Sequence, residues 1–414
     1  MARRLLGRFA LLAFGLYHVP LLLNNYPSLG GGGFSHDGLA SSWGHVFGQV
    51  GVWVARHVFG VTGDLTEGLG GDVSDTVGEY CRLLVGVVIA AVAAVIWTLA
   101  DRRRPRARWV EDALHVLLRY AIVLGLASFG VEKLYPVMFG ELPATTLEQR
   151  VGELTPMALL WAFMSYSRIY TVFAGIMELV VVVLLCFRRT ALLGALVGIS
   201  VMLNVALMNY SYNVGLKLYS TSIVLAAVVL VLYDARRLLD LFVLRRPVPA
   251  APARPPFRSR RLNQARWIVK IVCVGGVIVS SAVVMRDRVA RRTADEASPL
   301  YGTWEVTSFV AGGREQAQTA EPTRWRRLSW WRGRAAVRRE DDALVFCGAT
   351  LDAAAQTVSV KCPAQRDGLV RWTRRGDELR LDGTLDGAPV TVTLERRAEA
   401  ALPLLKTPFR WTID

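Results

Sequence analysis

The sequence predicts an α-helical multi-pass membrane bundle of about seven spans, followed by a C-terminal antiparallel β-barrel or sandwich. Three observations predict it. Apolar residues make up 53% of the 414 and charged residues only 20%, with a mean hydropathy of +0.33. A soluble domain runs nearer to about 45–50% and 25%. The apolar excess is gathered into runs of about 20 residues, the length that crosses a bilayer. From residue 298 the texture changes to alternating stretches such as TWEVTSFV, TVSVKC, ELRLDGTL and VTVTLE, which have the period of half-buried strands.

Taken in order, the expected spans are 9–24, 82–100, 112–131, 169–187, 190–209, 217–234 and 267–285. Arg3, Arg4 and Arg8 precede the first. Asn24, Asn25 and Tyr26 follow it where a signal peptide would carry small residues, so an uncleaved helix is expected. Arginine then assigns the sides. Loop 25–81 has Arg56 as its only basic residue and reads as extracytoplasmic. Residues 102–108 carry five arginines and read as cytoplasmic, as do Arg188, Arg189 and the nine arginines of 236–266. Seven crossings leave the C-terminal domain outside. Arg286, Arg288, Arg291 and Arg292 sit on the less favoured side.

The domains follow from these assignments. Residues 1–111 form a two-span region with a large loop, and 112–235 a four-helix core. Residues 236–266 are an Arg/Pro-rich linker, 267–285 the last span, and 298–414 the β domain. Within loop 25–81, residues 45–60 have helical apolar spacing and suit the membrane interface. Thr155-Pro156 predicts an N-cap with proline in the first helical position. The apolar stretch after it is too short to span, so it reads as re-entrant or interfacial.

The net charge of +15 is a consequence of topology. Of 49 basic residues only five are lysine, and many of the arginines cluster between apolar runs, so the charge implies no nucleic acid. Membrane lipids are the partners it implies. Gly30–Gly33 lacks the flanking strand and helix of a phosphate loop. GGDVSDT at 70–76 reads as a helix cap through Ser74 or Asp75, with no complete metal-ligand set. Neither a nucleophile–base constellation nor a haem, flavin or nucleotide motif is present.

Charges inside spans are the informative residues. Arg119 and Glu178 fall at similar depth on sequential helices and are expected to pair, either as a structural clamp or as part of a proton relay or headgroup site. Glu111, His115 and Arg119 share one helix face. Near the outer surface lie Lys133, Tyr166, Arg168, Asn204, Asn209, Asn213 and Lys217. They form either a pocket for a ring, headgroup or polar metabolite, or an aromatic belt with snorkelling cations. Cys347 and Cys362 end neighbouring expected strands and form a disulfide if the domain is extracytoplasmic; otherwise they are free thiols.

LLRYAIVLGLASFGVEKLYPVMF, with its Gly130-x-x-Lys133 step, resembles the DoxX-like membrane protein family, long subgroup. FAGIMELVVVVLLCFRRTALLGAL, carrying Glu178, and MNYSYNVGLKLYS continue the resemblance through the 112–235 core. It implies an accessory subunit of a quinone-linked redox system, with quinone as cofactor and a redox enzyme as partner. The tail is similar to lipocalin-like domains through Gly302-Thr303-Trp304. That likeness implies that Arg410 covers the tryptophan, and it keeps open a carrier of lipophilic ligands; the absence of a nucleophile–base constellation keeps open a scaffold for a partner enzyme.

Overall fold

The protein is described from a computed structural model, which places residues 2–24, 39–62, 75–101, 108–140, 142–248, 259–317, 322, 324–331, 333–362, 368–385, 387–398 and 402–406. In chain order the helices are α1 (Ala2–Asn24), α2 (Leu39–His57), α3 (Val77–Ala100), α4 (Arg108–Leu134), α5 (Ala144–Leu147) and α6 (Pro156–Tyr166). Then come α7 (Arg168–Cys186), α8 (Ala191–Ser211), α9 (Lys217–Leu232), α10 (Ala235–Leu238) and α11 (Arg260–Glu296). Two compact units emerge: Met1–Met138 with Ser167–Arg286, and Phe139–Tyr166 with Asp287–Asp414.

The first unit is a helical bundle. Among the described residues α3, α4, α7, α8 and α11 are each long and apolar enough to cross a membrane. The bent pair of α9 with Ala235–Val243, angled at 70°, makes a sixth. The remaining expected span, 9–24, falls within α1. The expected linker opens as α10 and a π-helical turn, Leu239–Val243. α4 is the central helix, with 56% of its apolar window buried against 17% for α3 and α11. Leu114, Leu118, Ile122 and Leu126 recur every fourth residue, so they form one stripe, fully buried against Val181 and Leu185 of α7 and Ile223 and Leu230 of α9. The amphipathic segment expected at the interface is α2, which lies against α3. A Cβ on Gly51 would stand 2.8 Å from the Gly78 carbonyl oxygen.

Helix ends in this unit are capped across the sequence. Thr76 caps α3, its hydroxyl accepting from the Glu79 N–H. Asp75, expected at that same helix end, instead accepts from the Lys217 and Leu218 N–H groups at 2.6 and 2.9 Å and caps α9. Ser74 lies outside the described residues. A carboxylate at a helix N-terminus answers both the orphan donors and the helix dipole. Asp75→Ala is expected to cost about 1 kcal/mol, read as a lower melting temperature of the solubilised chain, with Asp75→Asn recovering part of it.

The second unit is built on a barrel. Its strands are β1 (Gly302–Ala311), β2 (Arg314–Glu315), β3 (Trp325–Trp331), β4 (Arg334–Arg339), β5 (Leu344–Asp352), β6 (Thr357–Lys361), β7 (Gly368–Arg375), β8 (Glu378–Leu385) and β9 (Ala388–Arg396). All pairings are antiparallel, and β1 pairs with both β3 and β9, so eight strands close into a barrel with β2 folded back on β1. Closure leaves no free edge among the eight. Gly312 and Gly313, at φ of 60° and 76°, make the two-residue turn that only such residues permit in a tight hairpin. Alternation directs Val370 and Trp372 of β7, Leu379 and Leu381 of β8 and Val392 and Leu394 of β9 inward, around Trp304, Trp325 and Trp330. The Trp304 indole donates to the Leu300 carbonyl at 2.8 Å. The cation over its ring is Arg374, at 5.3 Å; Arg410, expected there, lies outside the described residues. Cys347 and Cys362 are joined by a disulfide between β5 and β6.

Residues 139–166 belong to this unit although they lie between α4 and α7 in sequence. Thr155 and Pro156 open α6 as expected, the Thr155 hydroxyl accepting from the Ala158 N–H at 3.2 Å. Arginines of the barrel grip the segment. Arg327 and Arg397 reach the Glu148 carboxylate at 3.1 and 2.8 Å, and Arg338 reaches Glu153 at 2.7 Å. Arg338 holds the partly exposed Glu153 carboxyl down at about 2, with the Arg150 N–H adding to the effect. A lowered carboxylate pKa contributes stability above the unfolded value of about 4.5, and that stability is lost as pH falls toward 2. Hydrogen exchange of 144–153 is therefore expected to accelerate between about pH 4.5 and 2, and Glu153→Gln to flatten that dependence.

Candidate functional site

The site grows from two small residues. Gly130 on α4 and Gly175 on α7 face each other so closely that a Cβ on Gly175 would stand 2.8 Å from the Gly130 carbonyl oxygen and 2.9 Å from Lys133 Cβ. Three residues after each glycine, on the same helix face, comes a charge: Lys133 and Glu178. Lys133 Nζ lies 2.9 Å from Glu178 Oε1 and 3.0 Å from Oε2, with 7% and 2% of the two residues exposed. Helical side chains lean toward the N-terminus, and the lysine follows this rule. Its ammonium points back at the Phe129 carbonyl, 3.5 Å away, and over the Phe129 ring. Tyr219 of α9 lies 5.6 Å from the same ring, its hydroxyl occupying space that a Cβ on Gly125 would need.

The expected pair of Arg119 with Glu178 does not form. Arg119, 3% exposed, donates from Nε at 3.0 Å and from Nη2 to the Leu185 carbonyl. Register is the reason. With Gly130 opposite Gly175 in antiparallel helices, Arg119 comes level with Cys186, each eleven residues from its glycine. The depth estimate failed because α4 begins at Arg108 and α7 ends at Cys186, so the two residues are not equidistant from one boundary. On the face Glu111–His115–Arg119, Glu111 meets Arg3 at 3.8 Å and His115 stands edge-on to Tyr233.

The residues expected to line one outer pocket serve mainly as local ties. Arg168 donates to the carbonyls of Lys133 and Leu134, capping the end of α4. Asn209 is buried and donates to Leu216 and Ser220. Asn213, at a φ of 54°, accepts from Lys217, which also approaches Asp75 at 3.7 Å. Asn204 is exposed on α8. Tyr166, half exposed, belongs to the other unit. Helix ends carry orphan N–H and C=O groups, and these side chains satisfy them.

Two features were not legible in sequence. A cleft between α1, α2 and α3 is walled by Leu16, Phe47, Leu83 and Val87 and carries Tyr17 and Arg82. Arg82 is buried and donates to Glu79, one turn earlier, with Nε at 2.8 Å from the carboxylate. Tyr17 hydrogen-bonds Ser222 and lies in the field of Arg82, Glu79 and Asp75, while Tyr219 lies in the field of Tyr17 and Glu178. The second feature is Arg8, 4% exposed, which meets Asp101 at 2.5 Å, the Trp97 carbonyl at 3.0 Å and the Trp97 ring, tying α1 to the end of α3. The i, i+3 spacing of Glu79 and Arg82 was the available signal for the first; nothing local marks the second.

Among known proteins, a stretch of 133 residues, 32% of this chain, is 28% identical to "Uncharacterized protein YwoB" of Bacillus subtilis (strain 168), covering 84% of that relative. No family model and no solved structure matches the chain.

Proposed function

We propose that the chain is an integral membrane protein of the DoxX-like type, an accessory subunit of a quinone-linked redox system, with the buried Lys133–Glu178 pair as its working centre. That pair carries the reading. A carboxylate and an ammonium in contact inside apolar surroundings can exchange a proton without leaving a net charge in the membrane, and intramembrane charges lean toward function. The cleft adds a place of the right chemistry, with apolar walls for a prenylated ring and Tyr17 and Arg82 as donors to a quinone carbonyl. Tyr17, Ser222 and Tyr219 carry hydroxyls that supply exchangeable protons.

Native complex purified from membranes is expected to yield quinone on solvent extraction and to co-purify with a redox enzyme. Glu178→Gln is expected to abolish quinone-linked electron transfer by that complex while leaving quinone bound; Arg82→Ala is expected to release the quinone. Preparations free of quinone and of any redox enzyme overturn the reading.

The reading also places the protein in a bacterial inner membrane with the N-terminus cytoplasmic and the barrel extracytoplasmic. The arginine-rich connections support that orientation. Residues 148–153 are held by the barrel's arginines, so segment and barrel take one common side. Four crossings between them, by α7, α8, the bent α9 and α11, return the chain to that side. A second reading, a carrier of lipophilic ligands, is favoured by the Trp372 indole nitrogen, buried in the barrel without a hydrogen-bond partner among the described residues. It predicts a ligand co-purifying with residues 298–414.

A further inference from the structure

Cations gather where α7 ends. Arg119 crosses from α4 to the Leu185 carbonyl. Lys270 reaches from α11 to the Cys186 carbonyl at 2.6 Å. Arg188 and Arg189 follow α7 directly, and Arg266 stands one turn before Lys270. Arg188 and Arg266 bear on Arg119 as like charges, and among the described residues neither Arg119 nor Lys270 forms an ion pair with a carboxylate. A guanidinium has five N–H donors. Those on Nε and Nη2 engage Leu185, while Nη1 has no acceptor among the described residues. The end of a helix offers only about half a negative charge. It cannot balance this many cations, one of them 97% removed from solvent by the bundle. The ensemble lacks an anion.

The surroundings say which kind. Lys270 lies 3.6 Å over the Trp267 ring and 4.9 Å from that of Phe187, and both aromatic residues are exposed. Next to them Ile268, Ile271 and Val272 of α11 are about 60% exposed or more. Tryptophan among cations, beside an exposed aliphatic face, is the pattern of a bilayer's headgroup level. We propose that this end of the bundle is a binding site for an anionic phospholipid: its phosphate completes Arg119 together with Lys270, Arg188 and Arg266, and its acyl chains lie along α11. The exposed aliphatic face favours a lipid over free phosphate, because a soluble anion would leave that face bare.

Native mass spectrometry of the full chain in detergent tests this, with phosphatidylglycerol, phosphatidylcholine of the same acyl chains and inorganic phosphate as probes. The expected result is phosphatidylglycerol retained about tenfold or more over phosphatidylcholine, and undisturbed by millimolar inorganic phosphate. Arg119→Gln is expected to remove the adduct. Because Arg119 is buried and its loss threatens the fold, the less buried pair Arg188→Gln with Arg266→Gln serves as the second variant. It is expected to weaken phosphatidylglycerol binding on the order of thirtyfold at an unchanged melting temperature. Equal retention of the two lipids, or a double variant that binds like the parent, overturns the proposal. Full displacement by inorganic phosphate overturns its lipid form.

Discussion

Glu178→Leu, with Lys133 left in place, is expected to destabilise the solubilised protein by about 3–5 kcal/mol. The ammonium of Lys133 would remain 7% exposed with only the Phe129 carbonyl at 3.5 Å and an aromatic face for company. Neither supplies the charge that Glu178 supplies at 2.9 Å. Replacing both residues, as Lys133→Met with Glu178→Leu, is expected to restore most of the loss, since well-packed apolar residues can substitute for a buried pair. Thermal melting of parent, single and double variants in one detergent measures it. Equal losses in single and double variants would show that packing at the Gly130–Gly175 crossing, and not charge, sets the stability. The same double variant separates structure from function, because it keeps the fold and removes the proton-exchanging groups.

Opening the barrel's disulfide is the second large effect. Cys347 and Cys362 close a loop of 15 residues, which corresponds to about 3 kcal/mol of stability through the unfolded chain. Cys347→Ser with Cys362→Ser is expected to lower the denaturant midpoint by that amount, followed by fluorescence of Trp304, Trp325, Trp330 and Trp372, all buried in the barrel. Reductant is expected to bring the parent down to the variant. A parent indifferent to reductant, and equal to the variant, would mean that the bond contributes nothing.

Residues differ in how far sequence revealed their role. In sequence both Glu178 and Lys133 stand out, the first as a charge inside a span and the second near the outer surface, and nothing local joins them. Depth counted from expected span ends pairs Glu178 with Arg119 instead. An error of a few residues at either end shifts a helix by more than a side chain's reach, at 1.5 Å per residue. Asp75 was recognised as a cap, but its helix was misassigned: α9 begins more than a hundred residues later. The disulfide was legible because β5 and β6 are adjacent in sequence and a short turn fixes their register. For the cleft at Tyr17 and Arg82 the sequence offers only the i, i+3 spacing of Glu79 and Arg82, and nothing local marks the tie from Arg8 to Asp101.

What the sequence determined alone is the solvent of each segment. Hydropathy is a property of one residue and its near neighbours, so the apolar runs, the arginine-rich breaks and the period-two tail could be read directly. Tertiary structure alone decided which charge meets which. Partner choice inside the bundle depends on how far one helix slides along another, and here two glycines set that slide by letting α4 and α7 touch backbone to backbone.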